Sequence, residues 1–276
     1  MKRRAFITGI TGMDGSHMAD LLLEKDYEVY GLIRRSSTQK LERLAHIANR
    51  VVFVQGDITD SSRLCELVRL IRPDEIYNFA AQSHVGTSFV NPDYTCQVTA
   101  VGALKLFEAA RLECSQARIY QASSSEMFGG HDGAPCEEVT PFAPCSPYGV
   151  AKVFAHEMAV AYRRSYKMFI ACGIAFNHES ERRSPEFVTR KITLTVANIK
   201  AGLMDSLTLG NLDAERDWSY APDVVQGAWL MLQARDPDDF ILASGEAHSV
   251  REFAELAFKT AGLSIEGRIK QSPDLM

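Results

Sequence analysis

Hydrophobic and polar positions in the first two-thirds of the chain alternate between short apolar runs and stripes at helical spacing. The apolar runs predict five strands, at residues 4–8, 28–33, 51–54, 75–80 and 119–122. Helical stripes follow them, and the one that begins at Leu64 has Asp60 as a candidate N-cap and Pro73 as its stop. This order predicts an α/β fold with a doubly wound parallel sheet of the Rossmann type.

The pattern loosens after residue 176. Further stripes predict helices at residues 188–201, 224–233 and 249–262. Short strands are predicted near Leu207 and Phe240. We expect a first domain over residues 1–176 and a smaller lobe over residues 177–276, beside the carboxyl ends of the strands, where such sheets bind ligands. No linker rich in proline, glycine or serine separates them, so the boundary is soft.

Composition narrows the classes of protein that fit this chain of 276 residues. A hydrophobic fraction of 46% is enough for a sizeable core, and a net charge of -5 without long charged runs argues against nucleic acid or an anionic membrane as the main partner. We expect no signal peptide and no membrane span. The six cysteines contain no CxxC pair, which predicts no metal site and favours reduced thiols in a cytoplasmic protein.

One tyrosine of the nine in the chain, Tyr148, has a lysine four residues later, Lys152. Ser146 is a good helix N-cap and Pro147 suits the first helical position, so both side chains fall on one face of a new helix. The helix dipole and the ammonium both favour a phenolate, so we expect a lowered pKa for Tyr148. Such a tyrosine transfers protons to and from an alcohol.

A serine-rich strand end supplies the other candidate catalytic groups. The predicted strand at residues 119–122 runs into SSSE at residues 123–126. A strand that delivers the Ser124 hydroxyl and the Glu126 carboxylate towards Tyr148 makes a candidate active site. The alternative for Glu126 is a carboxylate that faces solvent.

A glycine-rich turn, TGITGMDG at residues 8–15, follows the first strand and opens the first helix. Its glycines permit a tight turn and a close approach of the backbone to a pyrophosphate, while the helix start supplies amide donors. A dinucleotide site is therefore predicted here, with a purely structural turn as the alternative. The candidate cofactor-binding residues of this turn are Gly9, Thr11, Gly12, Met13, Asp14 and Gly15.

The second predicted strand ends in Arg34, Arg35, Ser36 and Ser37. A site for NAD usually places an acidic residue there, for the 2′-hydroxyl of the adenosine ribose. Two guanidinium groups and two hydroxyls suit a 2′-phosphate instead, so we predict NADP as the cofactor. A solvated basic loop is the alternative.

Two further strand ends are candidates for the cofactor site. Asp57 and Ile58 follow the third strand, and the Asp57 carboxylate either bonds to the adenine amine, as we expect, or caps a turn. After the fourth strand, His84 is expected to be structural. Small residues in the same segment let the backbone approach a ligand; they are Ala80, Ala81 and Ser83.

Together these motifs resemble the extended short-chain dehydrogenase/reductase family and, within it, the family of GDP-mannose 4,6-dehydratases. The later of the similar blocks are specific to the dehydratases. In the family's order the blocks are GITGMDGS (9–16), RRSS (34–37), YQASSSEMFG (120–129), SPYGVAK (146–152), FNHESERR (176–183), FVTRKI (187–192), LGNLDAERDW (209–218) and GEAHSVREF (245–253).

The resemblance implies dehydration of GDP-mannose to GDP-4-keto-6-deoxymannose with tightly bound NADP. Tyr148 would take the proton from the C4 hydroxyl while hydride passes to NADP⁺, with Ser124 bonded to the C4 oxygen. Glu126 would remove the C5 proton and assist loss of the C6 hydroxyl as water, before hydride returns to C6 and a proton to C5. Lys152 would bind the nicotinamide ribose and hold the pKa of Tyr148 down.

The resemblance also implies roles for residues that no motif singles out alone, and a homodimer or homotetramer with the Arg35 loop near a subunit contact. Additional cofactor contacts would come from Tyr94, His178 and Arg183. Besides Ser124 and Glu126, the residues implied to bind the substrate are Ser83, Asn177, Val188, Lys191 and Arg216.

The chain departs from the family's pattern at several positions. Ser124 stands where the family usually has threonine and Met13 where it has glutamine, although the hydroxyl and the backbone amide are kept. Residues 184–186 replace a more glycine-like turn, which leaves the exact sugar open. The chain ends at Met276, whereas the resemblance implies further elements, so we expect a truncated lobe that binds GDP-mannose weakly while NADP binding is complete.

Three alternatives stay open from the sequence. The first is the same chemistry on another GDP-sugar, such as GDP-manno-heptose. The second is an NADPH-dependent nucleotide-sugar ketone reductase, which keeps Tyr148 and Lys152 and which Glu126 discriminates only in part. The third is a non-catalytic NADP-binding protein on the same fold, a class that tends to lose the tyrosine–lysine pair.

Overall fold

Strands and helices alternate through the first 176 residues, as the hydrophobic pattern predicts. A computed structural model describes residues 2–36, 41–130 and 135–272. The described strands are β1 Arg4–Thr8, β2 Glu28–Ile33, β3 Val51–Gln55, β4 Glu75–Asn78, β5 Arg118–Ser124, β6 Ile170–Ala175, β7 Asn177–Glu179, β8 Leu207–Leu209, β9 Glu215–Tyr220, β10 Asp239–Leu242, β11 Ala247–Ser249 and β12 Ile269–Gln271.

Helices occupy most of the connections between these strands. The described α-helices are α1 Met13–Glu24, α2 Ser61–Ile71, α3 Val85–Val90, α4 Pro92–Thr95, α5 Gly102–Glu113, α6 Pro147–Tyr166, α7 Val188–Lys200, α8 Ala221–Gln233 and α9 Val250–Ala261. A π-helical segment, Cys96–Val101, joins α4 to α5, and 3₁₀ turns cover Glu42–Ile47 and Ser125–Phe128. Among the described helices, none combines the length and the apolar composition that a membrane span needs.

Seven strands form one parallel sheet, in the order β10-β6-β5-β4-β1-β2-β3. The strand order reverses between β1 and β4, and ligands bind at the carboxyl ends of such neighbouring strands in open α/β sheets. The predicted doubly wound Rossmann-type fold is therefore confirmed.

Both faces of this sheet are buried, because successive residues of a strand point to opposite faces. Phe6 of β1 shares a core with α2, α5 and α6. Its neighbours Ala5 and Ile7 share another core with α1 and α8. A sheet covered on both sides gives strands that read as continuous apolar runs, which is why the central strands could be predicted.

Two helices, α2 and α6, start at the predicted caps, and α9 starts with a cap of the same kind at Ser249. In α2, α6 and α9 the N-cap side chain accepts a hydrogen bond from the backbone N–H of the third helical residue, at 3.0 to 3.1 Å; the caps are Asp60, Ser146 and Ser249. Each such cap stabilises a helix by about 1 kcal/mol. Helix α2 ends two residues before Pro73, as predicted, with Arg72 in the left-handed region.

The chain forms two compact units, and the second consists of Asn177–Tyr220 and Ala243–Met276. It contains a three-stranded sheet in the order β11-β9-β7 and a two-stranded sheet of β12 and β8. Helices α7 and α9 share a core with β8, through residues such as Ile192, Leu207 and Phe258.

The first unit combines Met1–Phe176 with a returning segment, Ala221–Leu242. In this segment α8 packs on the sheet beside α1, and β10 extends the sheet by pairing with β6. The sequence pattern places these residues in the lobe over 177–276, whereas the structure groups them with the first sheet. The physical reason is that the apolar side of α8 covers a sheet face that α1 alone leaves open.

Candidate active site

The glycine-rich turn lies between β1 and α1, where the sequence predicts it. Gly9 has a φ of +71°, a conformation that favours glycine. A Cβ at Gly9 would lie 2.7 Å from the carbonyl carbon of Phe79, and a Cβ at Gly15 would lie 2.4 Å from the Gly9 carbonyl oxygen. Helix α1 begins after Gly12, which offers no side-chain cap. This backbone forms a cradle of the kind that binds a pyrophosphate.

A cavity of about 740 Å³ opens where β2 and β3 end, and it contains several of the predicted cofactor residues. Its lining residues are Arg34, Arg35, Ser36, Gln55, Gly56, Asp57 and Arg63. Ser37, also predicted, lies outside the described residues. Motif reasoning missed Arg63, which belongs to the first turn of α2; the signal that could have found it is a third arginine close to the end of β3.

Two predicted residues at or near this cavity, Asp57 and Tyr94, form hydrogen bonds within the protein. Asp57 accepts hydrogen bonds from the backbone N–H and the hydroxyl of Thr59, at 2.9 and 2.7 Å, all through Oδ1. The carboxylate therefore caps a turn while it lines the cavity. Tyr94 accepts a hydrogen bond from Nη1 of Arg34 at 2.6 Å, which joins it to the predicted phosphate-binding group, and Ile58 is buried in the core.

The segment after β4, which contains Ala80, Ala81 and Ser83, lies against the glycine-rich turn. Gln82 donates through its backbone N–H to Thr99 and through Nε2 to the His84 carbonyl. Its Oε1 is buried and has no hydrogen-bond partner among the described residues. An unpaired buried acceptor next to the strand switch point suits a donor group of a ligand. His84 caps α3, accepting from the N–H of Thr87 at 3.1 Å.

Tyr148 and Lys152 lie one turn apart at the start of α6, and both are buried. The Lys152 ammonium donates to the carbonyl oxygen of Ala122 at 2.6 Å and lies 5.6 Å from the centroid of the Tyr148 ring. Burial lowers the pKa of Lys152 to about 8, opposed by the smaller effect of the Asp14 carboxylate. A cation beside the tyrosine ring favours the ionised phenol.

Ser124 and Glu126 lie where β5 runs into the 3₁₀ turn Ser125–Phe128. Ser124 is buried and caps this turn, since its Oγ accepts from the N–H of Glu126 at 3.3 Å. The start of α6 packs on the same turn so closely that a Cβ at Gly149 would lie 2.6 Å from the Glu126 carbonyl oxygen. The four predicted catalytic residues therefore lie in adjoining elements of one unit.

A buried hydrogen-bond chain links β1, β4 and β5 to Lys152. Thr8 Oγ1 donates to Asn78 Oδ1 at 2.6 Å, Asn78 Nδ2 donates to Gln121 Oε1 at 2.7 Å, and Gln121 Nε2 donates to the Ala122 carbonyl at 3.0 Å. That carbonyl also accepts from Lys152. Sequence reasoning missed this chain; its signal is a polar residue within an otherwise apolar, buried strand.

A second buried polar cluster contains atoms that could in principle ligate a metal. The ligand atoms of His156, Cys172 and Asp239 lie within 4.8 Å of one another. Arg163 donates to Asp239 at 2.5 Å and to the Cys172 sulfur at 3.7 Å, while His156 bonds to Ser123 at 2.9 Å. Burial lowers the pKa of His156 and raises that of Cys172 well above its usual value. The cluster is thus an Arg163–Asp239 ion pair with neutral neighbours.

The remaining predicted residues lie in the second unit. They are Asn177 and His178 on β7, Arg183 after it, Val188 and Lys191 at the start of α7, and Arg216 on β9. Arg183 donates to both carboxylate oxygens of Glu179, at 2.8 and 3.1 Å, and to the His178 carbonyl at 2.8 Å. Its guanidinium group also lies over the Phe187 ring, 4.2 Å from the centroid. These contacts fix Arg183 beside β7.

Solved structures of similar fold include two that act on nucleotide sugars. A dTDP-glucose 4,6-dehydratase from Streptomyces venezuelae, with NAD and TYD bound, has a TM-score of 0.86 and 26% identity, over 98% of this chain and 84% of that one. The UDP-glucose 4-epimerase of Thermus thermophilus, in complex with NAD, has a TM-score of 0.86 and 25% identity, over 99% of this chain and 88% of that one.

Sequence comparison narrows the family further and confirms the predicted resemblance. The GDP-mannose 4,6-dehydratase of Yersinia enterocolitica is 50% identical over 273 residues, which cover 96% of this chain and 73% of that protein. The human GDP-mannose 4,6 dehydratase is 48% identical over 272 residues, covering 95% and 73%. The family model for GDP-mannose 4,6 dehydratase matches residues 6–275. The chain therefore belongs to the GDP-mannose 4,6-dehydratase family.

Proposed function

We propose that this chain catalyses the dehydration of GDP-mannose to GDP-4-keto-6-deoxymannose. The observation that carries the proposal is the juxtaposition of Lys152 and Tyr148 with the turn that holds Ser124 and Glu126. A ketone reductase needs the tyrosine and the lysine to move a proton at oxygen. A carboxylate on the adjoining turn adds the proton transfer at carbon that the loss of water requires.

We infer that the cofactor is NADP. The fit rests on the cradle formed by Gly9 and Gly15, on the unpaired Oε1 of Gln82, and on Arg34 and Arg35 in the cavity. The two similar structures contain NAD, which lacks the 2′-phosphate that guanidinium groups would bind. When bound, the nicotinamide supplies a reversible hydride acceptor, so the net reaction involves no oxidation.

Tyr148 acts as the base for the C4 hydroxyl of the hexose. The Lys152 cation stabilises the phenolate that this role requires. Ser124 supports the same step, because its Oγ already accepts from the Glu126 N–H and its own proton can be donated to the C4 oxygen. The resulting C4 carbonyl acidifies the hydrogen on C5.

Glu126 removes that C5 proton, and its carboxylic acid then protonates the C6 hydroxyl as it leaves as water. The residue is half-buried, and its backbone is fixed by the Ser124 cap on one side and by Gly149 on the other. A restricted position suits a group that must serve two neighbouring carbon atoms in turn.

The second unit is proposed to bind the GDP part of the substrate. Lys191 and Arg216 carry the positive charge that a pyrophosphate requires, and Arg216 is exposed on β9. Asn177 and Val188 complete the proposed substrate set with Ser83 of the first unit. His178 and Arg183 are proposed to contact the cofactor, together with Tyr94.

A homodimer or homotetramer in the cytoplasm is proposed as the working state. Exposed apolar side chains on α3 and α6, two helices in contact, support self-association through a second copy of the chain; they are Phe89, Val90, Val150 and Phe154. The six cysteines, all among the described residues, form no disulfide, which fits a reducing compartment.

Turnover with limiting cofactor tests the proposed reaction. GDP-mannose is incubated with the protein and with NADP, whose concentration is a small fraction of that of the sugar. The masses of the products are measured by mass spectrometry. We expect many turnovers per NADP, each with the loss of one water and no net change in nicotinamide absorbance. A parallel reaction with GDP-manno-heptose tests the sugar. Stoichiometric consumption of NADPH with a keto sugar, and no reaction of GDP-mannose, would identify a reductase instead.

A further inference from the structure

We propose that Arg63 is a further specificity-determining residue, a third guanidinium group that binds a phosphate monoester on the adenosine ribose of the cofactor. The inference rests on the proposed use of NADP. It assigns part of the preference for NADP to α2, an element that carries none of the cofactor motifs in the sequence.

The position of Arg63 is the first observation behind this proposal. Arg34 and Arg35 line the cavity from the end of β2, and Asp57 lines it from the end of β3. Arg63 lines the same cavity from the first turn of α2. Three arginines therefore line one space, two from the end of β2 and one from α2, which is an arrangement suited to an anion with several acceptor oxygens.

Three hydrogen bonds hold Arg63 in place, two of them from its guanidinium group. Its Nε donates to the Gln55 carbonyl at 2.8 Å, its Nη1 donates to Glu66 at 2.7 Å, and its backbone N–H donates to the Asp60 cap at 3.0 Å. A Cβ at Gly56 would lie 3.1 Å from the Arg63 Cγ, so the stem rests on that glycine. A guanidinium already fixed in this way loses little entropy when it binds a ligand.

The charge balance of the cavity favours a phosphate over a hydroxyl. Three arginines face one carboxylate, Asp57, whose Oδ1 is engaged by Thr59. No hydrogen bond engages Nη2 of Arg63 among the described residues, although Glu66 neutralises part of its charge through Nη1. An excess of cationic donors suits the dianion of a 2′-phosphate, whereas a ribose diol calls for an acceptor.

The competing explanation is a surface ion pair, in which Arg63 and Glu66 stabilise α2 and nothing else. An exposed ion pair three residues apart on a helix contributes little to stability. In that case Arg63→Gln should alter the binding of all adenine dinucleotides alike, or of none. A role in specificity should alter only ligands that carry the 2′-phosphate, and this difference makes the two explanations separable.

The test is a set of dissociation constants for NADP, NAD and 2′,5′-ADP, measured by calorimetry on the parent chain and on Arg63→Gln. We expect the variant to bind NADP and 2′,5′-ADP about tenfold more weakly, because one charge-assisted hydrogen bond is lost. Its affinity for NAD should stay within about twofold. Arg69→Gln is the matched control on α2, since that guanidinium bonds to Glu113, and it should leave all three constants unchanged.

Any other outcome would overturn either the role of Arg63 or the assignment of NADP as the cofactor. Equal weakening for NADP and NAD would show that Arg63 only supports the cavity wall. Unchanged NADP binding in Arg63→Gln, with a parent that prefers NADP, would overturn the role of Arg63 and leave the cofactor assignment standing. A parent without preference for NADP would overturn the cofactor assignment together with this inference. Equal unfolding midpoints of parent and variant confirm that the comparison concerns binding.

Discussion

Lys152 is a charged residue in a place that disfavours charge. The residue is 5% exposed, and desolvation lowers the pKa of its ammonium from 10.5 to about 8 despite the hydrogen bond to Ala122. The unfolded chain therefore binds this proton more tightly than the folded protein does. Folding stability must then rise with pH between the two pKa values, and the destabilising effect is complete below about pH 8.

A Lys152→Met variant should reveal this linkage by difference. The free energy of unfolding of the parent, minus that of the variant, should increase between about pH 7 and about pH 10.5, by an amount on the order of 3 kcal/mol. Urea unfolding of the cofactor-free proteins across this range measures it. A difference that stays constant with pH would show that the lysine is not desolvated in the folded protein.

Tyr148 carries the first proton transfer in the proposed reaction. In Tyr148→Phe the turnover number should fall by about 10²- to 10⁴-fold, because the general base is lost. The affinity for NADP should change little, since the ring still packs against Lys152. Stopped-flow absorbance and cofactor titration measure the two quantities. Tyr166→Phe, at the other end of α6, is the control and should behave as the parent; a similar loss in both variants would speak against a specific role.

Glu126 is expected to act after the oxidation at C4. Glu126→Gln should therefore still oxidise the sugar but stall before the loss of water, so that reduced nicotinamide accumulates in a single turnover. Product mass and nicotinamide absorbance, followed together, separate the two steps. Glu157→Gln removes an exposed carboxylate of α6 and should turn over normally. Release of dehydrated product by Glu126→Gln at the parent's rate would remove this residue from the mechanism.

At the scale of elements, the buried hydrogen-bond chain Thr8–Asn78–Gln121 joins three strands and ends at the Ala122 carbonyl, which also accepts from Lys152. Gln121→Met leaves the Nδ2 donor of Asn78 buried and unpaired, which should cost about 1–3 kcal/mol of stability. Adding Asn78→Leu removes that unpaired amide, so the double variant should lose less than the sum of the single losses. Urea unfolding of the parent, the two single variants and the double variant measures these losses of stability. Gln55→Met, at an exposed position, is the control and should change the free energy of unfolding by nearly zero. Additive losses would mean that the hydrogen bonds are not coupled.

Elements with a strong local pattern could be predicted from the sequence, and those that depend on distant partners could not. The first five strands and the caps of α2 and α6 follow from apolar runs and from Asp, Ser and Pro at helix starts. Strand β6, IACGIA, is rich in small residues of low strand propensity and forms because β5 and β10 flank it. Strand β9, ERDWSY, has no apolar run, and its pairing with β7 and β11 defines it.

The residues of the candidate site also fall into those that a local pattern predicts and those that depend on distant partners. Spacing alone was sufficient to place Tyr148 with Lys152 and to locate the glycine-rich turn. Arg63 and Asn78 gave no motif, because their neighbours in space come from other strands and helices. Such contacts depend on strand order, which a local pattern does not contain.

At the scale of the whole molecule, the chain leaves its first unit at Asn177 and returns to it as Ala221–Leu242. The return is fixed by polar contacts as well as by the apolar side of α8: Gln233 bonds to Glu75 and to Arg3, and Trp229 donates to Tyr27. The helical stripe at 224–233 predicts that one side of α8 is buried, but not which sheet buries it. The crossing therefore had to be found in the structure.

The central claim concerns the reaction itself: water is lost because a carboxylate exchanges the C5 proton while the hydrogen from C4 is returned to C6. Conversion of GDP-mannose in deuterated water, followed by mass and NMR analysis of the product, tests it most directly. We predict one solvent deuterium at C5, none at C6, the loss of one water, and no net change in NADP(H). A dehydrated product that carries no solvent deuterium at C5 would contradict the proposed role of Glu126, and solvent deuterium at C6 would contradict internal return of the hydride.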